Sequence, residues 1–360
     1  MSNTVKSFSV GYNPINKSNT FTSGDYLTGT ITVELAKDCK IDSLCVKLKG
    51  KAEVKWTETH NKTTVVYHAK EKYFSIKQFI IQDSQGNSNV GPGCHVYPFT
   101  FQIPAQDMPS SFNGTWGKIL YTLQANLSRS MRIDSKAKAQ FTFVSNTNLN
   151  SSPGLMTPQH GNKDQKMKLF TSGTVAMDVN IDRMGFYQGE GIKVVAAIQN
   201  RSSREIKPKY CIYSKQSFFA RGKRRVNTKD ILKEAGEPIP PSASQTVTRI
   251  ITIPPAACVS IVNCNIIKAE YRLRVYLDVK YASDPEIKFP IVVLPAFQAA
   301  DVEQPPANPG FGFGVFGNPD QPGWTSFPQN PTASTGPSAP PPPYGTYGMY
   351  PPLSDFGGKS

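Results

Sequence analysis

From Tyr271 to Tyr281 apolar and polar side chains alternate without a break. Tyr271, Leu273, Val275, Leu277, Val279 and Tyr281 hold one side of the pattern, and Arg272, Arg274, Tyr276, Asp278 and Lys280 the other. A period of two suits a strand, whose successive side chains point to opposite faces, and does not suit a helix. Tyr121, Leu123, Ala125 and Leu127 repeat the pattern, and shorter versions lie at 31–35, 44–48, 99–103 and 175–181. Gly91-Pro92-Gly93 and Pro254-Pro255 punctuate the strands as turns. Many short strands between frequent turns predict an all-β chain of sandwich or barrel type. One short helix is expected over residues 230–235, with Thr228 as its cap.

The strands fall into two similar sets. Phe21-Thr22-Ser23-Gly24-Asp25-Tyr26-Leu27 aligns with Phe186-Tyr187-Gln188-Gly189-Glu190-Gly191-Ile192, an offset of 165 residues. At the same offset Val33 meets Ile198 and Ile41 meets Ile206. In both copies a strand enters a turn in which glycine permits positive φ and the acid can bond the turn's own backbone. A period this long means two similar domains rather than a solenoid. The expected organisation is a β-sandwich over 1–146, a polar linker over 147–165, a second β-sandwich over 166–297, and a disordered tail over 298–360. Residues 301–360 hold 14 of the 30 prolines and 10 of the 27 glycines. Such a segment cannot bury enough apolar area to offset its ordering entropy.

Charge is uneven. Residues 1–300 carry 39 basic and 22 acidic side chains, a net +17, whereas 301–360 carry Lys359 against four acids. A body this basic attracts anions: phosphoproteins, acidic tails, anionic lipid or nucleic acid, although the charge equally serves solubility. A nucleic-acid surface is disfavoured because basic residues are not interleaved with aromatic ones. The six cysteines, at 39, 45, 94, 211, 258 and 264, contain no C-x-x-C, and the four histidines are scattered, so no zinc site is expected. Without an apolar leader the thiols are expected to be free in a reducing compartment, which also speaks against an extracellular immunoglobulin-like pair. No run of 18 apolar residues offers a membrane span. No hydrolase or P-loop motif occurs, so no catalytic residue and no cofactor is predicted. Gly312-x-Gly314-x-x-Gly317 fits a dinucleotide fingerprint but lacks the strand and helix that such a site needs.

Several of these stretches together resemble the arrestin superfamily, and its α-arrestin branch in particular. Phe21…Gly24-Asp25…Leu27…Gly29 and Gly117-Lys118-Ile119-x-Tyr121 look like first-domain signatures. Tyr187-x-Gly189-Glu190, Asn200-x-Ser202-Ser203 and Ile206-x-Pro208-Lys209 look like the opening of the second domain. Tyr271-x-Leu273…Leu277-Asp278-Val279 and Pro290-Ile291-Val292 look like its close. The resemblance covers roughly residues 5–297. It implies two antiparallel sandwiches of immunoglobulin-like architecture in tandem, acting as a trafficking adaptor rather than an enzyme. The buried charged cluster by which visual and β-arrestins sense phosphates is not identifiable in this sequence.

The tail carries short peptide motifs. Pro341-Pro342-Pro343-Tyr344 is a PPxY sequence. Its prolines hold an extended polyproline II form that loses little entropy on entering the aromatic groove of a WW domain. The resemblance implies HECT-type ubiquitin ligases as the WW partner, membrane receptors or transporters as cargo, and recruitment from the cytoplasm to plasma membrane and endosomes. Pro337-Ser338-Ala339-Pro340 resembles the P-S/T-A-P peptide bound by ESCRT-I, and Tyr350-Pro351-Pro352-Leu353 the YPxL peptide of ESCRT accessory proteins. The densest basic run, Arg221, Lys223, Arg224 and Arg225, reads either as a contact for acidic cargo or anionic membrane or as a solvated loop. Cys264 aligns with a reactive cysteine in a thioredoxin-interacting member of the resembled family. That implies a mixed disulfide if the thiol is exposed and its pKa lowered; the commoner reading of such a residue is a small buried cysteine.

Overall fold

A computed structural model describes residues 4–82, 88–150, 152–166, 173–279 and 283–296. The first part of the chain runs through β1 (Val5–Tyr12), β2 (Thr20–Phe21), β3 (Tyr26–Leu35), β4 (Cys39–Lys40), β5 (Ser43–His60), β6 (Thr63–Gln82), β7 (Asn89–Val90), β8 (Gly93–Gln102), β9 (Phe112–Asn113), β10 (Gly117–Ser128) and β11 (Ser135–Phe143). The second part runs through β12 (Gln159–Lys166), β13 (Gly173–Ile181), β14 (Gly185–Tyr187), β15 (Gly191–Ser202), β16 (Lys207–Ala220), β17 (Lys223–Ala235), β18 (Ala243–Thr252), β19 (Ile267–Asp278) and β20 (Glu286–Leu294).

Each part is a sandwich of two sheets. In the first, β1-β3-β8 faces β2-β11-β10-β5-β6, with β9 added on β10; in the second, β12-β13-β15-β18 faces β14-β20-β19-β16-β17. Alternation sets the core, because one face of each central strand must be buried. On β10, Ile119, Tyr121, Leu123, Ala125 and Leu127 are buried, as are Tyr271, Leu273, Val275 and Leu277 on β19.

The internal repeat is present down to single hydrogen bonds. Gly24 and Gly189 have φ of 90° and 82°. Asp25 accepts from the Thr22 backbone N–H at 2.7 Å, and Glu190 accepts from that of Tyr187 at 2.8 Å. The Gly24 and Gly189 N–H groups donate to the carbonyls of Ile103 and Ile253, each at 3.1 Å. Phe21 then pairs in parallel with Phe143, as Phe186 does with Val293.

Two expectations change. Residues 230–235 are not helical; they close β17, an edge strand paired with β16. The register slips where Ile212 opposes Leu232 and Tyr213 opposes Asp230, so Ile231 is an extra, bulged residue. The bulge lets the adjacent Ile231 and Leu232 both pack on the core, which in the sequence imitated a helical face. Within the stretch read as linker, residues 153–156 form a 3₁₀ turn and Gln159–Lys166 forms β12, an edge strand antiparallel to β13. None of its residues is buried, so nothing required apolar alternation there.

Candidate functional site

The basic run sits at the tip of the β16–β17 hairpin. Arg221 and Gly222 turn the chain with φ of 49° and 72°, the twist that two-residue hairpin loops favour. The tip divides the run. Arg221, Lys223 and Arg224 are exposed and Arg225 is half-buried, and among the described residues only Arg221 and Lys223 of the four have no partner for the side chain in the body. The Arg224 guanidinium instead folds back, donating to Ser217 Oγ at 3.2 and 2.8 Å, and lies 5.7 Å from the Phe219 ring. Arg225 stacks 4.3 Å over the Trp116 ring and donates to the Thr57 carbonyl at 3.5 Å. Asn227 donates to Thr115 Oγ1 at 3.1 Å. Two of the four cations therefore hold the hairpin, and Arg225 joins it to the first sandwich.

Beneath the tip, Phe218 is fully buried in the core of the first sandwich. Its ring lies 5.8 Å from Trp116, edge to face, and 6.5 Å from Phe112. A Cβ on Gly117 would come within 2.8 Å of Phe218, and one on Gly114 within 2.9 Å. Gly117, read in the sequence as part of a strand signature, is thus clearance for a side chain of the other sandwich. Sequence reasoning missed Phe218 and Trp116; the glycines at 114 and 117 flanking a tryptophan were the available signal.

A cavity of about 290 Å³ opens beside this junction, lined by Glu53, Lys55, Asn113, Thr115, Trp116 and Lys118 among others. Glu53 accepts from Lys51 at 2.7 Å, shares a hydrogen bond with His68 at 3.0 Å, and has Lys70 at 3.6 Å. The Lys51 hydrogen bond leads the effects that pull its carboxyl down to about 2. Among the described residues no three His, Cys, Asp or Glu side chains are grouped to hold a metal. No described helix is long and apolar enough to cross a membrane.

Cys264 meets neither condition for a reactive thiol. It is 3% exposed and packs with Ile261, Ile267 and Ala269 against the first sandwich. Tyr73 donates its hydroxyl to Cys264 Sγ at 3.3 Å, and Glu71 accepts the N–H of Asn265 at 3.0 Å. Burial pushes the Cys264 thiol above its ordinary value, disfavouring the thiolate. The exposed thiols are Cys94 and Cys258. The tail motifs at 337–340, 341–344 and 350–353 lie outside the described residues.

Residues 8–150 match the family described as arrestin (or S-antigen), N-terminal domain, and residues 171–296 match arrestin (or S-antigen), C-terminal domain. Arrestin domain-containing protein 4 of Mus musculus and that of Homo sapiens are each 28% identical to the chain over 284 residues, 76% of this chain and 68% of theirs. Thioredoxin-interacting protein of Rattus norvegicus is 28% identical over 302 residues, 80% of this chain and 74% of its own.

Proposed function

The chain belongs to the arrestin family, in its α-arrestin branch, and from that premise we propose that it is a non-enzymatic adaptor joining membrane cargo to a WW-domain ubiquitin ligase. The observation that carries the reading is one chain that combines the two-sandwich arrestin body with the Pro341-Pro342-Pro343-Tyr344 peptide. The body binds a receptor or transporter at the plasma membrane or endosome. The tail holds a HECT-type ligase on Tyr344.

Taken as a coil, as its proline- and glycine-rich composition implies, a segment of some 60 residues has a root-mean-square reach of about 40 Å. A ligase on that tether meets body-bound cargo at high effective concentration, which raises ubiquitin transfer without any new contact. Cargo so marked enters endocytosis and endosomal sorting. The 337–340 and 350–353 peptides are suited to hand it to ESCRT components, with Pro340 too close to the WW site for both to dock at once.

Replacing Tyr344 by Ala is expected to abolish pull-down of an isolated WW array and leave the melting temperature of the body unchanged. Retained binding would exclude this peptide as the main dock. Thioredoxin binding, which the name of the rat relative states for that protein, is not assigned here through Cys264. Its thiol is buried and held protonated.

A further inference from the structure

The outward face of the larger sheet of the first sandwich has an electrostatic character that the adaptor reading does not use. On β5 the outward positions are Lys47, Lys49, Lys51, Glu53 and Lys55, alternating with the buried Val46, Leu48, Ala52 and Val54. Register brings further lysines beside them. Lys47 lies opposite Lys77 and Lys51 opposite Lys72 on β6; Gln124 of β10 separates Lys47 from Lys138 on β11. Glu53 is the only carboxylate at the outward register positions of β5, β6, β10 and β11 among the described residues. Like charges directly opposite one another weaken a sheet. Crowding is also felt at Lys49, whose ammonium is pushed below its ordinary value first by burial and then by Lys47, Lys138 and Lys51.

One end of this face also carries exposed apolar side chains. The loop from β10 to β11 holds Met131, 101% exposed, and Ile133, 93% exposed, on either side of Arg132. Met131 has φ of 54°, and the Arg132 N–H donates to the Arg129 carbonyl at 3.2 Å, so the loop is a tight turn. It is tied to the lysine face, because Asn126, an outward residue of β10, donates to Asp134 at 2.9 Å. In the same cross-strand row Phe79 is 44% exposed, with Lys77 Nζ 3.6 Å from its ring centroid.

We infer that this face is a docking surface for an anionic lipid bilayer, with lysines on β5, β6 and β11 over the headgroups and Met131 and Ile133 inserted among the acyl chains. Charge complementarity calls for a polyanion, and three features select a bilayer. The cations are lysines, point charges suited to a diffuse layer of phosphates, rather than arginine forks that clamp one group. They spread over β5, β6 and β11, across the breadth of one sheet, instead of lining a groove. Protruding aliphatic side chains gain from acyl chains and gain nothing from a phosphopeptide or an RNA backbone. The outward aromatic ring, Phe79, has an ammonium over it and is not free for base stacking.

The test uses the full chain with phosphatidylcholine vesicles, with and without phosphatidylserine, across a salt series. Binding is expected to require phosphatidylserine and to fall as salt rises. The triple variant Lys47→Gln/Lys77→Gln/Lys138→Gln should weaken partition about a hundredfold at low salt and flatten the salt dependence. Met131→Ser/Ile133→Ser should weaken it about tenfold and leave the salt slope as it was. Lys77, Lys138, Met131 and Ile133 are exposed and Lys47 is half-buried on the outward face, so both variants should melt no lower than the parent. Arg221→Gln/Lys223→Gln and Tyr344→Ala should bind vesicles as the parent does, which separates this surface from the hairpin tip and from ligase docking. The inference is overturned if the parent ignores phosphatidylserine, if the triple variant binds undiminished, or if the serine pair loses nothing. It is equally overturned if a phosphopeptide or RNA titrates the lysine face while vesicles do not.

Discussion

The larger sheets of the two sandwiches share a topology, and each ends in a long hairpin: β5–β6 in the first, β16–β17 in the second. Their outward faces differ in charge. On the second, cations and anions are interleaved: Lys209 meets Asp278 at 2.6 Å, Lys233 meets Asp230 at 2.7 Å, and Arg274 and Lys288 share Glu286. On the first, lysines face lysines across strands and Glu53 stands alone among them. The tips differ as well. The second tip is clamped to the other sandwich by Arg225 on Trp116, whereas the first turns at Asn61 and Lys62, with φ of 45° and 70°, and Lys62 is exposed. One architecture, used twice, thus yields a sheet whose outward face is crossed by ion pairs and whose hairpin tip is held by Arg225 on Trp116, and a sheet whose outward face is mostly lysine.

The largest effect should come from breaking the fastening. Phe218→Ala leaves a cavity between Trp116, Phe112 and Ile267, and should cost about 3–5 kcal/mol in denaturant unfolding. The matching change on the β5–β6 hairpin, Val66→Ala, touches a residue 39% exposed and should stay within about 0.5 kcal/mol. Equal losses would mean that the two hairpins carry the same structural weight.

A smaller effect follows from making the second face resemble the first. Asp278→Asn/Glu286→Gln frees Lys209, Arg274 and Lys288. Each of these exposed pairs contributes roughly 0.2–1 kcal/mol, so the fold should persist. Introduced into the triple-lysine variant, this pair should restore only a few-fold of the lost vesicle partition, because the second face lacks the apolar loop. Full restoration would show that charge alone, and not its arrangement beside Met131 and Ile133, governs binding.

How far the sequence discloses this depends on what each residue answers to. Tyr271 to Asp278 had to alternate, because β19 is covered on one face only, and the repeat was legible because Phe21 and Phe186 fill the same core position beside the same Gly-acid turn. The 230–235 segment misled because the bulge at Ile231 puts two adjacent apolar residues on one face, a pattern shared with a helix. β12 was hidden because an exposed edge strand needs no apolar residues. The site was less legible. Lys47, Lys49 and Lys51 alternate visibly on β5, but their meeting with Lys77 and Lys138 depends on register between strands far apart in the chain. Nothing in the sequence marked Met131 and Ile133 as exposed, and Cys264 gave no sign that Tyr73 and Glu71 would enclose it.

The smallest expected effect concerns Glu53, among the described residues the one carboxylate at the outward strand positions of the lysine face. Its carboxyl titrates at about 2, below the ordinary 4.5, chiefly through the Lys51 hydrogen bond. A depressed folded-state pKa means that the ionised group stabilises the fold fully above about 4.5 and loses that contribution as pH falls toward 2. Glu53→Gln should therefore cost about 1 kcal/mol at neutral pH, limited by solvent screening, and the gap to the parent should close on acidification through that window. Removing the negative charge should at the same time tighten partition onto phosphatidylserine vesicles about threefold at low salt. A stability gap that does not change between pH 7 and the acid limb would show that Glu53 acts by packing rather than charge. Vesicle partition that weakens instead of tightening would mean that Glu53 positions Lys51 and Lys70 for the membrane, so that the first face is an arranged array and not merely a surplus of cations.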